Sequence, residues 1–319
     1  MSAPPVIDTL ARDAARRLFG AGPETEAPAR IAAVEALAGG TGTSTGALRL
    51  YRLEGGGGFV EKHTSSALEY ALARAQLADT AAGLSRCPVM LRFLAAAPDP
   101  AGGYRLFMER LEGIGDNNGW LWGAEVALAE AAETFSQAIA GMRQRHGLAL
   151  RPAPDVFGRL ARALAGSESG KEDQIGGRLA ALQAALAGYP SRPAHNDLFW
   201  PNIGRAPGSG GLVFLDFALV GDNQPGADFH HFAKGLKKSA QHRAFFLALT
   251  ARAADLAGIP AGIIRAGACM SAAARALTRE TRRGRPEAGQ HQARRFIDLA
   301  EAALQGDGPG EKKNGERGA

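Results

Sequence analysis

Cysteine is nearly absent: the 319 residues contain two, Cys87 and Cys269. They stand far apart and lack metal-ligand spacing, which argues against a disulfide framework or a cysteine metal site. Both read as reduced, mostly buried thiols of a cytoplasmic chain. Long apolar runs are missing too. No stretch of 18 apolar residues occurs, so no transmembrane helix and no membrane partner are expected. The first residues carry Asp8, Asp13 and scattered arginines without an apolar signal core. No internal repeat of useful strength is found, which excludes a solenoid. Lysine is scarce beside arginine while Ala and Gly are abundant, a base-composition trait that says nothing about mechanism.

What is present is ordinary globular chemistry, with 45% apolar and 22% charged residues. The length suits two lobes. A net charge of +5 and a pI near 9.5 raise the question of nucleic acid. The basic residues are dispersed, however, with short clusters at 234–238, 279–285 and 294–295. A solvated surface, or a site that handles phosphate, accounts for them better than a nucleic-acid interface. Residues 305–319 are rich in glycine and charge and read as a disordered tail.

Periodicity divides the chain. Residues 6–19 have helical apolar spacing and form an N-terminal extension spanning 1–29. Strands are expected at 31–38, 48–53 and 59–62, joined by turn-rich glycine segments. A helix capped by Ser65 or Ser66 follows, running to about Ala82, and then strands at 89–95 and 104–109. The first third therefore reads β-β-β-α-β-β, an N-lobe over 30–111. After a boundary at 111–119 the pattern turns helical, with helices at about 122–146, 156–165 and 175–187, and a C-lobe to residue 304. The fold class expected is α+β.

The densest chemistry lies in His195-Asn196-Asp197-Leu198-Phe199-Trp200-Pro201-Asn202, an H-x-D-x-x-x-x-N pattern. Nineteen residues after Asp197 comes an apolar-Asp-Phe step at Asp216-Phe217. Phosphoryl transfer wants these types. A carboxylate aims the attacking hydroxyl and takes its proton, the role for Asp197. Magnesium prefers hard oxygen ligands, which Asn202 and Asp216 supply. His195 is too close to Asp197 to act as a separate catalyst and holds the loop backbone instead.

This stretch resembles the catalytic and metal loops of the aminoglycoside phosphotransferase and choline kinase group, relatives of the protein kinases. The group's H-x-D-x-x-x-x-N falls on His195, Asp197 and Asn202, and its metal step on Asp216-Phe217. A later aspartate that braces the catalytic loop falls on Asp228. The resemblance implies a bilobal protein-kinase-like fold with a five-stranded N-terminal sheet and a mainly helical C-terminal lobe. The order of elements matches over about 30–235, though only 195–228 is specific. Within it, the glycine-rich turn at 39–46, with Gly40 and Gly42, would cover the nucleotide. Lys62 would reach its phosphates, paired with Glu69 or else Glu61 or Glu54. The end of the fifth strand, Met108, Glu109 and Leu111, would bind the base through backbone groups. The turn is not a Walker A loop, since no Gly-Lys-Ser/Thr follows it. Ala218 stands where the group often has Glu or Gly, which implies fewer protein ligands to metal.

The expected activity is ATP-dependent phosphorylation of a small-molecule hydroxyl, with GTP as a second donor and Mg²⁺ as cofactor, by a monomer or homodimer. The alternative is a nucleotide-binding pseudokinase or regulatory module, although none of Lys62, Asp197, Asn202 and Asp216 has been lost. After Asp216 there are 16 Lys/Arg against 10 Asp/Glu, which disfavours a polycationic acceptor. His230-His231 is not read as a metal site, because adjacent histidines diverge on a helix and no third ligand is near in sequence. Trp120 and Trp122 read as core packing rather than as a substrate wall.

Overall fold

The computed structural model describes residues 9–18, 30–37, 45–111, 121–165 and 172–306. The expected glycine cover with Gly40 and Gly42, the boundary region 112–119, Trp120 and the tail beyond 306 lie outside the described residues. The chain clusters into two compact units. One gathers the described residues of 9–111, 137–150 and 200–220, and the other those of 121–136, 151–199 and 221–306.

The first unit is built on a five-stranded antiparallel sheet. Its strands are β1 (Ile31–Leu37), β2 (Thr45–Leu53), β3 (Gly58–Thr64), β4 (Phe93–Pro98) and β5 (Tyr104–Glu109), in the spatial order β1-β2-β3-β5-β4. α1 (Thr9–Leu18) is part of this unit's core rather than an appendage. Its small stripe Ala11, Ala14 and Ala15 has helical spacing and lets the helix lie close over Tyr51, Phe59, Leu94 and Phe107. The Arg17 guanidinium donates to the Leu94 carbonyl oxygen at 3.0 Å.

α2 (Ala67–Ala81) begins where expected, with the Ser66 hydroxyl accepting from the Glu69 amide. Gln76 ties it to the sheet, donating to the Leu91 carbonyl and accepting from the Phe93 amide. The fourth strand begins later than its composition suggests. Residues Val89 to Leu91 pair instead with Phe214: the Phe214 amide donates to Val89 and the Leu91 amide to Phe214. That partner belongs to the hairpin β7 (Ile203–Arg205) and β8 (Leu212–Phe214).

The second unit is mainly helical. It contains α4 (Val156–Leu164), α5 (Glu172–Ala187), α6 (His230–Ala233), α7 (Ala240–Ala257), α8 (Ala261–Arg282) and α9 (Pro286–Leu304), with a small antiparallel pair, β6 (Arg192–Ala194) and β9 (Gly221–Asn223). α3 (Glu125–His146) contributes residues to both units. α8 is the buried centre, and α4, α6, α7 and α9 all pack on it. The turn before α6 lies flat against it. A Cβ at Gly267 would overlap the Pro225 carbonyl, and one at Gly226 would overlap that of Ile264. This close approach, fixed further by Gln224 donating to the Gly267 carbonyl at 3.0 Å, sets Asp228 and α6 in place. Trp122 is half-buried and packs edge-on against His242 and Phe245.

Candidate active site

In the first unit, the pleat of β3 sends alternate side chains to opposite faces. Phe59 and Glu61 share one face and Lys62 lies on the other. Glu61 is fully buried and already engaged, accepting from the Tyr51 hydroxyl at 2.8 Å and from Arg105 at 2.5 Å. Lys62 reaches the first turn of α2, where its ammonium donates to Glu69 at 2.8 Å. The same ammonium donates to Asp216 at 3.1 Å. Of the three acids weighed as its partner, Glu69 is the one that pairs, and the short sequence spacing is no obstacle because α2 starts directly after the strand.

Burial alone would pull the Lys62 ammonium's pKa down. The carboxylates of Glu69 and Asp216 outweigh it and leave the group above its ordinary value.

Asn202 and Asp216 flank the open end of the β7–β8 hairpin. Ile203 pairs with Phe214, and the Leu215 amide donates to the Asn202 carbonyl at 2.9 Å. The hairpin thus brings two residues fourteen positions apart to one end. Asp216 takes a left-handed backbone conformation, φ 59° and ψ 75°, which few side chains other than Asn and Asp tolerate. Its side chain is about one-third exposed. An amide oxygen and a carboxylate with one oxygen held by Lys62 are a hard-oxygen donor set that fits Mg²⁺, with water completing the shell.

A cleft of about 830 Å³ in this unit is bounded by Gly57, Gly58, Glu109, Arg110, Leu111 and Ser209 among others. It holds two of the three residues expected at the base, Glu109 and Leu111, and neither Lys62 nor Asp216. The Glu109 amide is already taken by the Arg92 carbonyl at 3.0 Å. Met108 is buried within the sheet.

In the second unit, the start of the H-x-D loop is held by Asp228. Its carboxylate accepts from the His195 amide at 3.2 Å and the Asn196 amide at 2.7 Å. Burial pushes the Asp228 carboxyl above its ordinary range, while His195 and the two amides pull the other way. His195 is fully buried, its ring 5.5 Å from that of Phe135.

Asn196 has φ 64°, the only other non-glycine with positive φ among the described residues. Its side chain is fixed on both sides, donating to the Gly221 carbonyl at 3.2 Å and accepting from Asn223 at 2.6 Å. The tolerance of asparagine for this conformation is the signal that marks Asn196 in the sequence.

Asp197 follows directly. Its Oδ1 lies 3.0 Å from Arg275 Nη1 and 3.3 Å from His231 Nε2. Arg275 also donates to the Asn196 carbonyl, clamping the backbone beside the carboxylate. Burial raises the Asp197 carboxyl, but the His231 hydrogen bond and the Arg275 charge prevail and hold it below its ordinary 3.8. It is a weak base and a charged one at neutrality, suited to aiming a hydroxyl. Lys234 Nζ lies 3.4 Å from His231 Nδ1, and the Phe199 ring stacks on His231 at 4.6 Å. With Lys234 donating to Nδ1, the His231 proton sits on Nε2 and is donated to Asp197.

His231, Lys234 and Arg275 are the neighbours of Asp197 that the motif does not announce. They arrive from α6, the turn after it and α8. The histidine pair does acquire a third ligand-type group, contrary to expectation: ligand atoms of Asp197, His230 and His231 lie within 4.8 Å of one another. His230 Nδ1 faces the Ala227 carbonyl at 2.9 Å, and burial keeps the ring neutral. Arg275 on the carboxylate and Lys234 on His231 already occupy that donor set with positive charge, so no metal is assigned there.

No family model and no curated protein matches the sequence. Solved structures share its fold. The GDP complex of wild-type aminoglycoside 2'-phosphotransferase-IIIa is 15% identical with a TM-score of 0.54, over 86% of this chain and 94% of that one. Choline kinase from Cryptosporidium parvum Iowa II is 12% identical with a TM-score of 0.54, over 86% and 91%. An aminoglycoside phosphotransferase from Alicyclobacillus acidocaldarius is 14% identical with a TM-score of 0.51, over 90% and 96%. The likeness shows a protein-kinase-like fold, the one expected from the H-x-D-x-x-x-x-N loop, and these three solved chains are named as small-molecule kinases.

Proposed function

We propose that this chain is an ATP-dependent phosphotransferase that moves the γ-phosphoryl group to a hydroxyl of a small molecule. The observation that carries the reading is the Lys62 ammonium held between Glu69 and Asp216. A buried cation tied at once to a helix acid and to the acid of the metal step is what phosphate and metal handling require. In the reaction, the acceptor oxygen forms a bond to the γ-phosphorus as the bond to the β–γ bridging oxygen breaks. The hydroxyl proton passes to Asp197 and ADP leaves. Asp197 aims the hydroxyl, while the amides fixed by Asp228 keep the loop start rigid. Lys62 steadies the donor phosphates, and Asn202 and Asp216 hold Mg²⁺. When bound, Mg²⁺ supplies charge neutralisation at the phosphates. The chain around Leu111 takes the base.

The test is ADP or GDP release by the full chain with Mg²⁺ across alcohols, sugars, hydroxy acids and aminoglycosides. Acceptor-dependent release is expected, and comparing ATP with GTP identifies the donor. Tight nucleotide binding with no release across the whole panel would overturn the reading in favour of a regulatory module.

A further inference from the structure

Charges around the Asp197 carboxylate do not cancel. Arg275 sits on it at 3.0 Å and His231 at 3.3 Å, with the Lys234 ammonium next in line behind His231. Lys234 makes no ion pair with a carboxylate among the described residues, although its side chain is partly buried. Glu280, the acid near the end of α8, is spent on others: Arg279 at 2.8 Å, Arg285 at 2.5 Å and Arg283 at 3.6 Å.

The basic end of α8 has an ordinary explanation, since cations are favoured at a helix C-terminus. That explanation does not reach Lys234, which lies on the turn after α6. Burial comes first among the causes that push the Lys234 ammonium down to about 8, and the charges of Arg279, Arg275 and Lys238 add to it. The nearby Asp197 charge pulls the other way without overcoming them, and an anion placed beside a partly buried ammonium removes the remaining cost.

We propose that the acceptor alcohol carries an anionic group, a carboxylate or phosphate, that binds Lys234 and Arg275 while Asp197 aims its hydroxyl. The proposal rests on the phosphotransferase reading and narrows it to a substrate class. It sets this chain apart from solved chains of the same fold that are named for choline or bound to kanamycin, both cations. A cationic acceptor here would meet like charge on the turn after α6 and on α8, with Asp197 already paired to Arg275.

The experiment compares acceptors that differ in charge: glycerate and glycerol 3-phosphate, then glycerol and ribose, then choline and kanamycin. The anionic pair is expected to give the highest kcat/KM, by at least about tenfold. Lys234→Met should raise KM for that pair roughly tenfold to a hundredfold, the loss of one charge-assisted hydrogen bond. KM should also rise as pH passes about 8, where Lys234 deprotonates amid Arg275, Arg279, Lys238, His231 and Asp197. Lys234→Arg keeps the charge and should flatten that rise, which preserves the test if Lys234→Met fails to fold. Equal or better turnover of the neutral or cationic acceptors would overturn the proposal, as would an unchanged KM in Lys234→Met. If no acceptor releases ADP, the phosphotransferase reading itself falls. Calorimetry with glycerol 3-phosphate then decides the anion site alone: binding lost in Lys234→Met supports it, and equal binding in that variant, or no binding in the parent chain, overturns it.

Discussion

The two charged clusters are inverses of each other. In the first unit one ammonium, Lys62, lies between two carboxylates. In the second, one carboxylate, Asp197, lies among Arg275, His231 and Lys234. The first cluster carries a surplus negative charge: Lys62 and Glu69 are buried and depend on each other for stability, while Asp216 is about one-third exposed. The second carries surplus positive charge and is partly open to water. Each cluster is left with one uncancelled charge, negative in the first and positive in the second. The difference lies in the sign of what each is suited to receive, a cation at Asp216 and an anion at Lys234.

The largest effect that would break this contrast comes from Asp197. Asp197→Ala is expected to lower kcat by roughly a hundredfold to ten-thousandfold, the usual contribution of a positioned acid or base. The melting temperature should hardly fall, because the variant leaves Arg275 with its bond to the Asn196 carbonyl. Turnover in the parent chain should stay flat as pH falls from neutrality towards 5. The folded carboxyl titrates below 3.8, so it remains charged throughout that window. An unfolded variant, or one with full activity, would erase the distinction between the clusters.

Lys62→Met acts on the other side of the comparison, and its cost should appear as stability. Glu69 is almost wholly buried, and removing its partner leaves an unpaired charge worth about 3–5 kcal/mol on denaturant unfolding. Lys62→Met with Glu69→Gln should recover part of that loss without recovering turnover. Recovery of both would mean that Lys62 serves only the fold.

The smallest effect sharpens the comparison at Asn196, where backbone rather than charge sets the geometry. Asn196→Ala should cost about 1–2 kcal/mol more than Asn196→Gly, since only glycine accepts positive φ freely. Thermal unfolding of the pair measures the difference. Equal stabilities would show that the loop abandons its left-handed turn when the Asn223 contact is lost.

The fold was legible where information is local. Strand alternation and glycine turns define β1, β2, β3 and β5, and Ser66 marks the start of α2. β4 was placed too early because Val89 and Met90 are strand-like in composition but pair with Phe214, far along the chain. The site shows the same division. Asp197 and Asn202 share one motif and Asp216 follows at a telling interval, so they could be read directly. Arg275, Lys234 and His231 are ordinary helix or turn residues in sequence, and only the packing of α6 on α8 brings them to Asp197. The pair His230-His231 was set aside for want of a third ligand-type group near in sequence, and the fold brings Asp197 beside it, although no metal is assigned there.

The backbone at Asp216 bears on how such a protein can lose its chemistry by descent. Position 216 is constrained twice, by a left-handed conformation and by the need for a negative charge. Aspartate meets both demands and asparagine meets only the first. The codons for the two differ by a single base. Under the proposed function, the easiest inherited route from an active chain to a silent relative of the same shape therefore passes through Asp216→Asn, and chains with Asn at this position are the first place to look for such relatives.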